Sequence, residues 1–177
     1  MQLNIFSTPI FINNIDSSRI ILNIKKIEPT WTSEVDSSFH DKNCFVEEKN
    51  LNYLYSIIGE SLSDFIKTNF KIKLLNIWQN NYMDNDFQEN HIHPSSDFSF
   101  VIYKEIEESK TIFFSPSNYL IQCFYENKYL DKYFKTKFIP KLRKDQIIIF
   151  PSYLEHMVKK NSNSITIAGN IKIEAYE

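Results

Sequence analysis

The spacing of apolar positions changes character near residue 70. Ahead of that point the period is helical. After a short extended entry, Leu3 to Ile12 broken at Pro9, Asp16 or Ser17 can cap a segment in which Ile20, Ile21, Ile24 and Ile27 recur at helical spacing. A second, clearer stripe runs from Leu51 through Leu54, Ile57, Ile58, Leu62, Phe65 and Ile66, and ends around Phe70. Residues 29 to 50, with Pro29, Trp31, Phe39 and Phe45 in a polar context, read as irregular.

From Lys71 the period drops to two, and β-branched and aromatic residues gather in runs of strand length. The candidates are Lys71–Tyr82, Phe87–His93, Asp97–Ile106, Thr111–Ser115, Thr136–Ile139, Gln146–Phe150, Leu154–Lys159 and Ser164–Ala175. That many short strands following helices predict a mainly β fold of two facing sheets, a double-stranded β-helix of jelly-roll or cupin-like type, with the N-terminal helices packed on one sheet. The chain reads as one domain over 1–177, with 1–70 a helical support region and 71–177 the β core.

Side chains at i and i+2 share a face of a strand, so alternation tells which side looks inward. In the last strand Ile165, Ile167, Ile171 and Ile173 form an apolar face, and Ser164, Thr166, Ala168 and Asn170 a small, mostly polar one. Phe98, Phe100 and Ile102 oppose Ser99, Val101 and Tyr103 in the same way. The apolar faces belong under the helices. The polar faces predict a lined pocket between the sheets.

Composition removes several classes of function. Twenty Lys+Arg against 22 Asp+Glu give a net charge of -2, without the basic footprint of a nucleic-acid binder, and no apolar run is long enough for a membrane-spanning helix. Gly59 and Gly169 are the only glycines, so neither a dinucleotide fingerprint nor a phosphate-cradling loop can be written. Cys44 and Cys123 form no metal-type pair and no disulfide framework, and the N-terminus carries no signal-peptide pattern. The chain is expected in the cytoplasm.

Three of the four histidines carry the candidate chemistry. His91-Ile92-His93 closes a predicted strand, where i, i+2 spacing sets two imidazoles side by side. His156, after the Pro151 turn, can supply a third nitrogen to the same cation. Taken alone, an H-x-H pair is also compatible with two hydrogen-bonded surface histidines. His40 has no ligand-type spacing around it.

The surrounding words add weight. Trp78-Gln79-Asn80, Gln88-Glu89-Asn90-His91-Ile92-His93-Pro94-Ser95-Ser96, Ser99-Phe100-Val101-Ile102-Tyr103, Phe150-Pro151-Ser152-Tyr153-Leu154-Glu155-His156-Met157-Val158 and a final Asn170 follow in order. Over residues 71 to 170 this resembles the family of 2-oxoglutarate and iron(II)-dependent oxygenases of bacteria and their viruses, distantly similar to prolyl hydroxylases. Resemblance implies the same fold and assigns the iron ligands to His91, His93 and His156. It implies two cofactors, Fe(II) and the co-substrate 2-oxoglutarate. His93 stands where better-known relatives have a carboxylate, which leaves the site at the full +2 charge of the ion. Glu89, which shares strand parity with His91 and His93, is the rival ligand.

The same resemblance places the distal carboxylate of 2-oxoglutarate at Tyr103, with Tyr82, Asn80 and Asn170 as further candidates. The usual anchor is an arginine opening the last strand, but the chain has Ser164 there. Exchanging a bidentate charged pair for one neutral hydrogen bond costs on the order of 1–3 kcal/mol. Lys172 shares the face of Ser164 but lies roughly 26 Å along the strand. Lys104 has the wrong parity, and Lys110 remains. Phe100 replaces the family's glycine, on the face assigned to the helices.

Three functions follow. The first is hydroxylation of an unidentified small-molecule or peptidyl substrate, driven by iron, 2-oxoglutarate and O2. The second is a three-histidine, cupin-like iron or zinc enzyme that does not use 2-oxoglutarate. The third is a degenerate, non-enzymatic barrel. Trp31, Phe39 and Phe45 are candidates for a lid. Nucleic acid and membrane are not expected partners, and oligomeric state is not legible.

Overall fold

The structure is a computed structural model that describes residues 7–124, 135–160 and 163–175. The elements are β1 (Phe11–Asn14), β2 (Leu22–Asn23), β3 (Glu28–Thr30), β4 (Val35–Ser37), β5 (Phe45–Val46), α1 (Glu48–Ser63), β6 (Phe70–Tyr82), β7 (Gln88–His91), β8 (Phe98–Glu105), β9 (Thr111–Phe114), α2 (Asn118–Phe124), β10 (Lys137–Phe138), β11 (Gln146–Pro151), β12 (His156–Val158) and β13 (Ser164–Ala175). Among the described residues a larger sheet runs β1-β11-β8-β13-β6-β4-β3 and a smaller one β10-β9-β12-β7, with β2 and β5 paired separately. This is the double-stranded β-helix that the alternation predicts, and all eight predicted strands are present within a few residues of their expected ends.

Alternation sorts the core into two clusters. Phe100, Ile102, Ile147, Ile149, Ile167 and Ile171 face α1 and meet its Leu54, Ile58 and Leu62, which recur at one-turn spacing. Tyr103, Ile148 and Phe150 alternate with them and point between the sheets, where they pack against Phe113, Leu142 and Leu154. Tyr103 of this inward cluster also lines a cavity between the sheets.

Phe100 is accommodated by a gap on the facing strand. It pairs directly with Gly169 of β13, and a Cβ at Gly169 would meet Phe100 Cζ at 2.5 Å and the Asn76 carbonyl at 2.9 Å.

The N-terminal third departs from expectation. In place of a helix over Ile20 to Ile27 there is a single 3-10 turn, Ser17–Arg19, with Asp16 Oδ1 accepting from Ser18 N, followed by β2. The backbone N–H groups of Lys25 and Lys26 both donate to Asp41 Oδ2, at 2.6 and 3.1 Å, so they cannot serve a helical ladder. A run of isoleucines is as much at home in extended chain, and only Ile20 of the four is fully buried. Residues 29 to 50 are not irregular either. β3 and β4 form a hairpin that adds to the larger sheet beside β6, with Asp36 opposite Asn81 and Ser37 opposite Asn80. The second helix is present, starting at Glu48 and ending at Ser63 rather than near Phe70. Leu3 to Phe6, the first part of the predicted extended entry, lie outside the described residues. None of the described helices is long and apolar enough to cross a membrane.

Candidate active site

Three strand irregularities decide which side chains enter the cavity. Between Asn170↔Asn76 and Ile171↔Leu74 the register skips Leu75, so β6 turns over. Beyond it Asn76, Trp78, Asn80 and Tyr82 line the cavity, while before it Phe70, Ile72 and Leu74 pack toward α1. A second skip sets Lys104 aside in β8, between Ile165↔Glu105 and Thr166↔Tyr103, and Lys104 does not line the cavity. The third lies in β7, where His156 opposes His91 but Val158 opposes Gln88.

That third bulge corrects the reading of Glu89. Simple parity puts Glu89 on the face of His91, but the extra residue brings Gln88 and His91 to the cavity and turns Glu89 out. There its carboxylate accepts from Thr32 N at 3.0 Å, and hydrogen bonding by Thr32, first from its side chain and then from its backbone, holds the Glu89 pKa below the usual range. Glu89 therefore ties the β3–β4 hairpin down.

His91, His93 and His156 converge. A nitrogen from each can be chosen so that all lie within 4.8 Å of one another, and His93 Nε2 and His156 Nε2 are 3.2 Å apart. Adjacent nitrogens on one ion, at about 2.1 Å and 90–109° apart, are separated by about 3.0–3.4 Å, which the His93–His156 pair matches. The chemistry of the donors fits as well. His91 Nδ1 lies 2.7 Å from the Glu89 carbonyl and His156 Nδ1 2.9 Å from that of Leu154. A carbonyl only accepts, so each Nδ1 carries the proton and each Nε2 presents a lone pair. Burial pushes all three pKa values down, His93 to about 4 with the charge of His91 adding to the effect, and the charges of His91 and His93 adding to it at buried His156. The imidazoles are therefore neutral at pH 7, the state a metal requires.

Hydrogen bonds brace the His93 loop. His93 N donates to Ser152 O, and the hydroxyls of Ser96, Ser152 and Ser99 stand in a row from the His93 carbonyl to Asn170 Oδ1, with successive contacts of 3.0, 2.9, 2.8 and 2.7 Å. The indole of Trp78 stacks on His93 at 5.8 Å between ring centroids. Neither the serine row nor Trp78 was identified as part of the site from sequence, although both lie inside the quoted motifs.

The cavity measures about 330 Å³. Tyr103, Tyr82, Asn80 and Asn170 all line it and are buried. Tyr103 OH is 2.8 Å from Thr111 Oγ1, Tyr82 OH donates to Gln88 Oε1 at 2.7 Å, and Asn80 Oδ1 accepts from Ser37. Desolvation raises both tyrosine pKa values, so the phenols stay protonated donors. Ser164 is the exception among the sequence candidates. It is buried opposite Tyr82 but does not line the cavity. Lys172 is exposed, and His40 is exposed against Phe39. Trp31 and Phe39 do line the cavity, whereas Phe45, on β5, does not. Trp31 sits at φ 65°, a left-handed conformation that is costly for a bulky residue, at the tip of the β3–β4 hairpin.

A family model described as "Putative 2OG-Fe(II) oxygenase" matches residues 76–170, more than half of the chain. The chain belongs to this family. Its members use Fe(II) and 2-oxoglutarate, and the oxygenase reading of the motifs holds. Among solved structures, the oxygenase is similar to a 2OG-Fe(II) oxygenase family oxidoreductase of Burkholderia pseudomallei, at 10% identity and TM-score 0.54, covering 88% of this chain and 74% of that one. It is also similar to HygX of Streptomyces hygroscopicus with nickel, 2-oxoglutarate and hygromycin B bound (9% identity, TM-score 0.52, 93% and 83% covered). A third similar structure is SnoN, a non-heme alpha ketoglutarate dependent epimerase from nogalamycin biosynthesis (9%, 0.54, 82% and 65%). At these identities the likeness concerns the fold. A search of curated proteins finds no match.

Proposed function

We propose that this oxygenase hydroxylates a C–H bond of a small-molecule or peptidyl substrate in the cytoplasm, with iron held by His91, His93 and His156. The observation that carries the reading is the converged triad whose Nε2 lone pairs are freed by proton-fixing carbonyls on the Nδ1 side. When bound, iron with O2 and 2-oxoglutarate supplies the oxidising power: one oxygen atom enters the substrate and the other enters succinate, with release of carbon dioxide. Three protein ligands leave positions on the ion for a chelating 2-oxo acid and for oxygen.

The chain's own residues divide the cavity. Tyr103, Tyr82, Asn80 and Asn170 are proton-bearing or amide groups suited to a polar co-substrate. Trp78, Phe39 and Trp31 form a continuous aromatic wall on the His93 side, with ring centroids 5.1 Å apart for Phe39–Trp78 and 5.7 Å for Trp31–Phe39. We assign the substrate to that wall. Trp78 is buried, and its Nε1–H has no hydrogen-bond partner among the described residues.

Succinate formation tests the reading. Protein reconstituted anaerobically with Fe(II) is expected to convert 2-oxoglutarate to succinate when O2 is admitted, even slowly without substrate, and to lose this when His156 is replaced by Ala. Stoichiometric iron with neither turnover nor 2-oxoglutarate binding would instead support the three-histidine reading without this co-substrate.

A further inference from the structure

The absence of an arginine at Ser164 leaves the distal carboxylate of a dicarboxylic 2-oxo acid without its usual counter-charge, and the cavity contains one replacement. Neither arginine lines it: Arg19 lies over the Tyr53 ring at 3.6 Å, on the α1 side, and Arg143 is exposed. Apart from the histidines, Lys110 is the sole basic residue among the described residues that line the cavity, and Glu108 the sole acidic one.

Lys110 stands in a run of donors. Ser109 Oγ lies 3.4 Å from Tyr103 OH, and Thr111 Oγ1 2.8 Å from the same phenol, with Ser109, Thr111 and Tyr103 all buried. The backbone of Lys110 is fixed by Lys159 N, which donates to its carbonyl at 3.0 Å. Its side chain is 30% exposed and its Nζ rests 2.8 Å from Glu108 Oε2, a partner that is itself 72% exposed. An ion pair with so exposed a carboxylate is easily exchanged for another carboxylate.

The spacing suits a five-carbon diacid. His156 pairs with Phe113, so Lys110, immediately before β9, lies three residues from that level, about 10 Å at strand rise. Four C–C bonds put the carboxyl carbons of an extended five-carbon diacid about 5 Å apart, and a flexible lysine stem spans the remainder. We infer that Lys110 is the charged anchor for the distal carboxylate of the 2-oxo acid, with Tyr103 and Thr111 as neutral donors beside it and Glu108 as a competitor for the same ammonium. This rests on the co-substrate reading above, and it makes Lys110 a determinant of which 2-oxo acid is accepted.

Calorimetric titration of Mn(II)-loaded protein under argon separates the two ends of the ligand. The probes are 2-oxoglutarate, with a distal carboxylate, and 2-oxobutyrate, without one. Wild type is expected to bind 2-oxoglutarate at least tenfold more tightly than 2-oxobutyrate. Lys110→Met should remove most of that preference while leaving 2-oxobutyrate affinity within about twofold, which also certifies a folded, metal-loaded site. Lys110→Arg should keep the preference, and Glu108→Gln should tighten 2-oxoglutarate binding severalfold. Unchanged 2-oxoglutarate affinity in Lys110→Met, or no preference in wild type, overturns the anchor while leaving 2-oxo acid chelation standing. Wild type that binds Mn(II) but neither acid overturns the co-substrate reading itself.

Discussion

Gly169→Ala tests how the β core was made compatible with Phe100, and its cost can be worked from the structure. The added methyl would sit 2.5 and 2.8 Å from Phe100 Cζ and Cε1, and 2.9 Å from the Asn76 carbonyl oxygen. Neither neighbour can give way cheaply. Phe100 is fully buried against Ile and Leu side chains of the α1 face, and Asn76 is held in register beside the β6 bulge. Overpacking a close-packed interior costs typically 1–3 kcal/mol, and a clash that includes backbone belongs at the upper end, about 2–3 kcal/mol. For a chain of this size that is a loss of roughly 5–10 °C in Tm. Thermal and urea denaturation of metal-free Gly169→Ala, Phe100→Leu and the double variant measure it. Phe100→Leu removes the ring atoms that collide but not the Asn76 carbonyl, so the double variant should be less destabilised than the sum of the singles by about 1 kcal/mol or more. A Gly169→Ala protein within about 0.5 kcal/mol of wild type, or strict additivity, would refute the steric argument.

Two further outcomes concern the metal site. The three imidazoles titrate below the ordinary 6.5 in the folded protein, His93 at about 4, so between those values the unfolded chain holds more protons than the native one. Chelator-treated protein should therefore lose stability as pH falls from 6.5 toward 4 and be insensitive to these groups above about 7.5, read as the urea midpoint at each pH; a flat midpoint across the window contradicts the burial assigned to the triad. Ser152→Ala strips the central hydroxyl from the row between His93 and Asn170 and should cost about 1–3 kcal/mol while weakening Mn(II) binding; a variant with unchanged melting and unchanged Mn(II) affinity would separate the serine row from the metal site.

Where alternation ran uninterrupted, the sequence was a sufficient guide to the fold. Phe98 to Tyr103 alternate between the two core clusters as expected, and the H-x-H pair and the distant His156 meet because β7 and β12 are neighbours in the smaller sheet. What was not legible lies where one residue changes the parity of a strand or where a distant partner overrides local preference. The bulge in β7 turned Glu89 from a rival ligand into the acceptor that holds Thr32, and no local pattern announces a bulge in Gln88-Glu89-Asn90-His91. Asp41, sixteen residues from Lys25, captured the amides that a helix after Ser17 would have needed. The Leu74-Leu75 doublet was a usable signal: two adjacent apolar residues in an alternating strand mark the place where the buried face changes sides, and here that exchange gives α1 its apolar stripe while the cavity keeps Asn76, Trp78, Asn80 and Tyr82. The oxygenase site thus depends on irregularities as much as on repeats, because a strictly regular β6 could not serve the helix at one end and the cavity at the other.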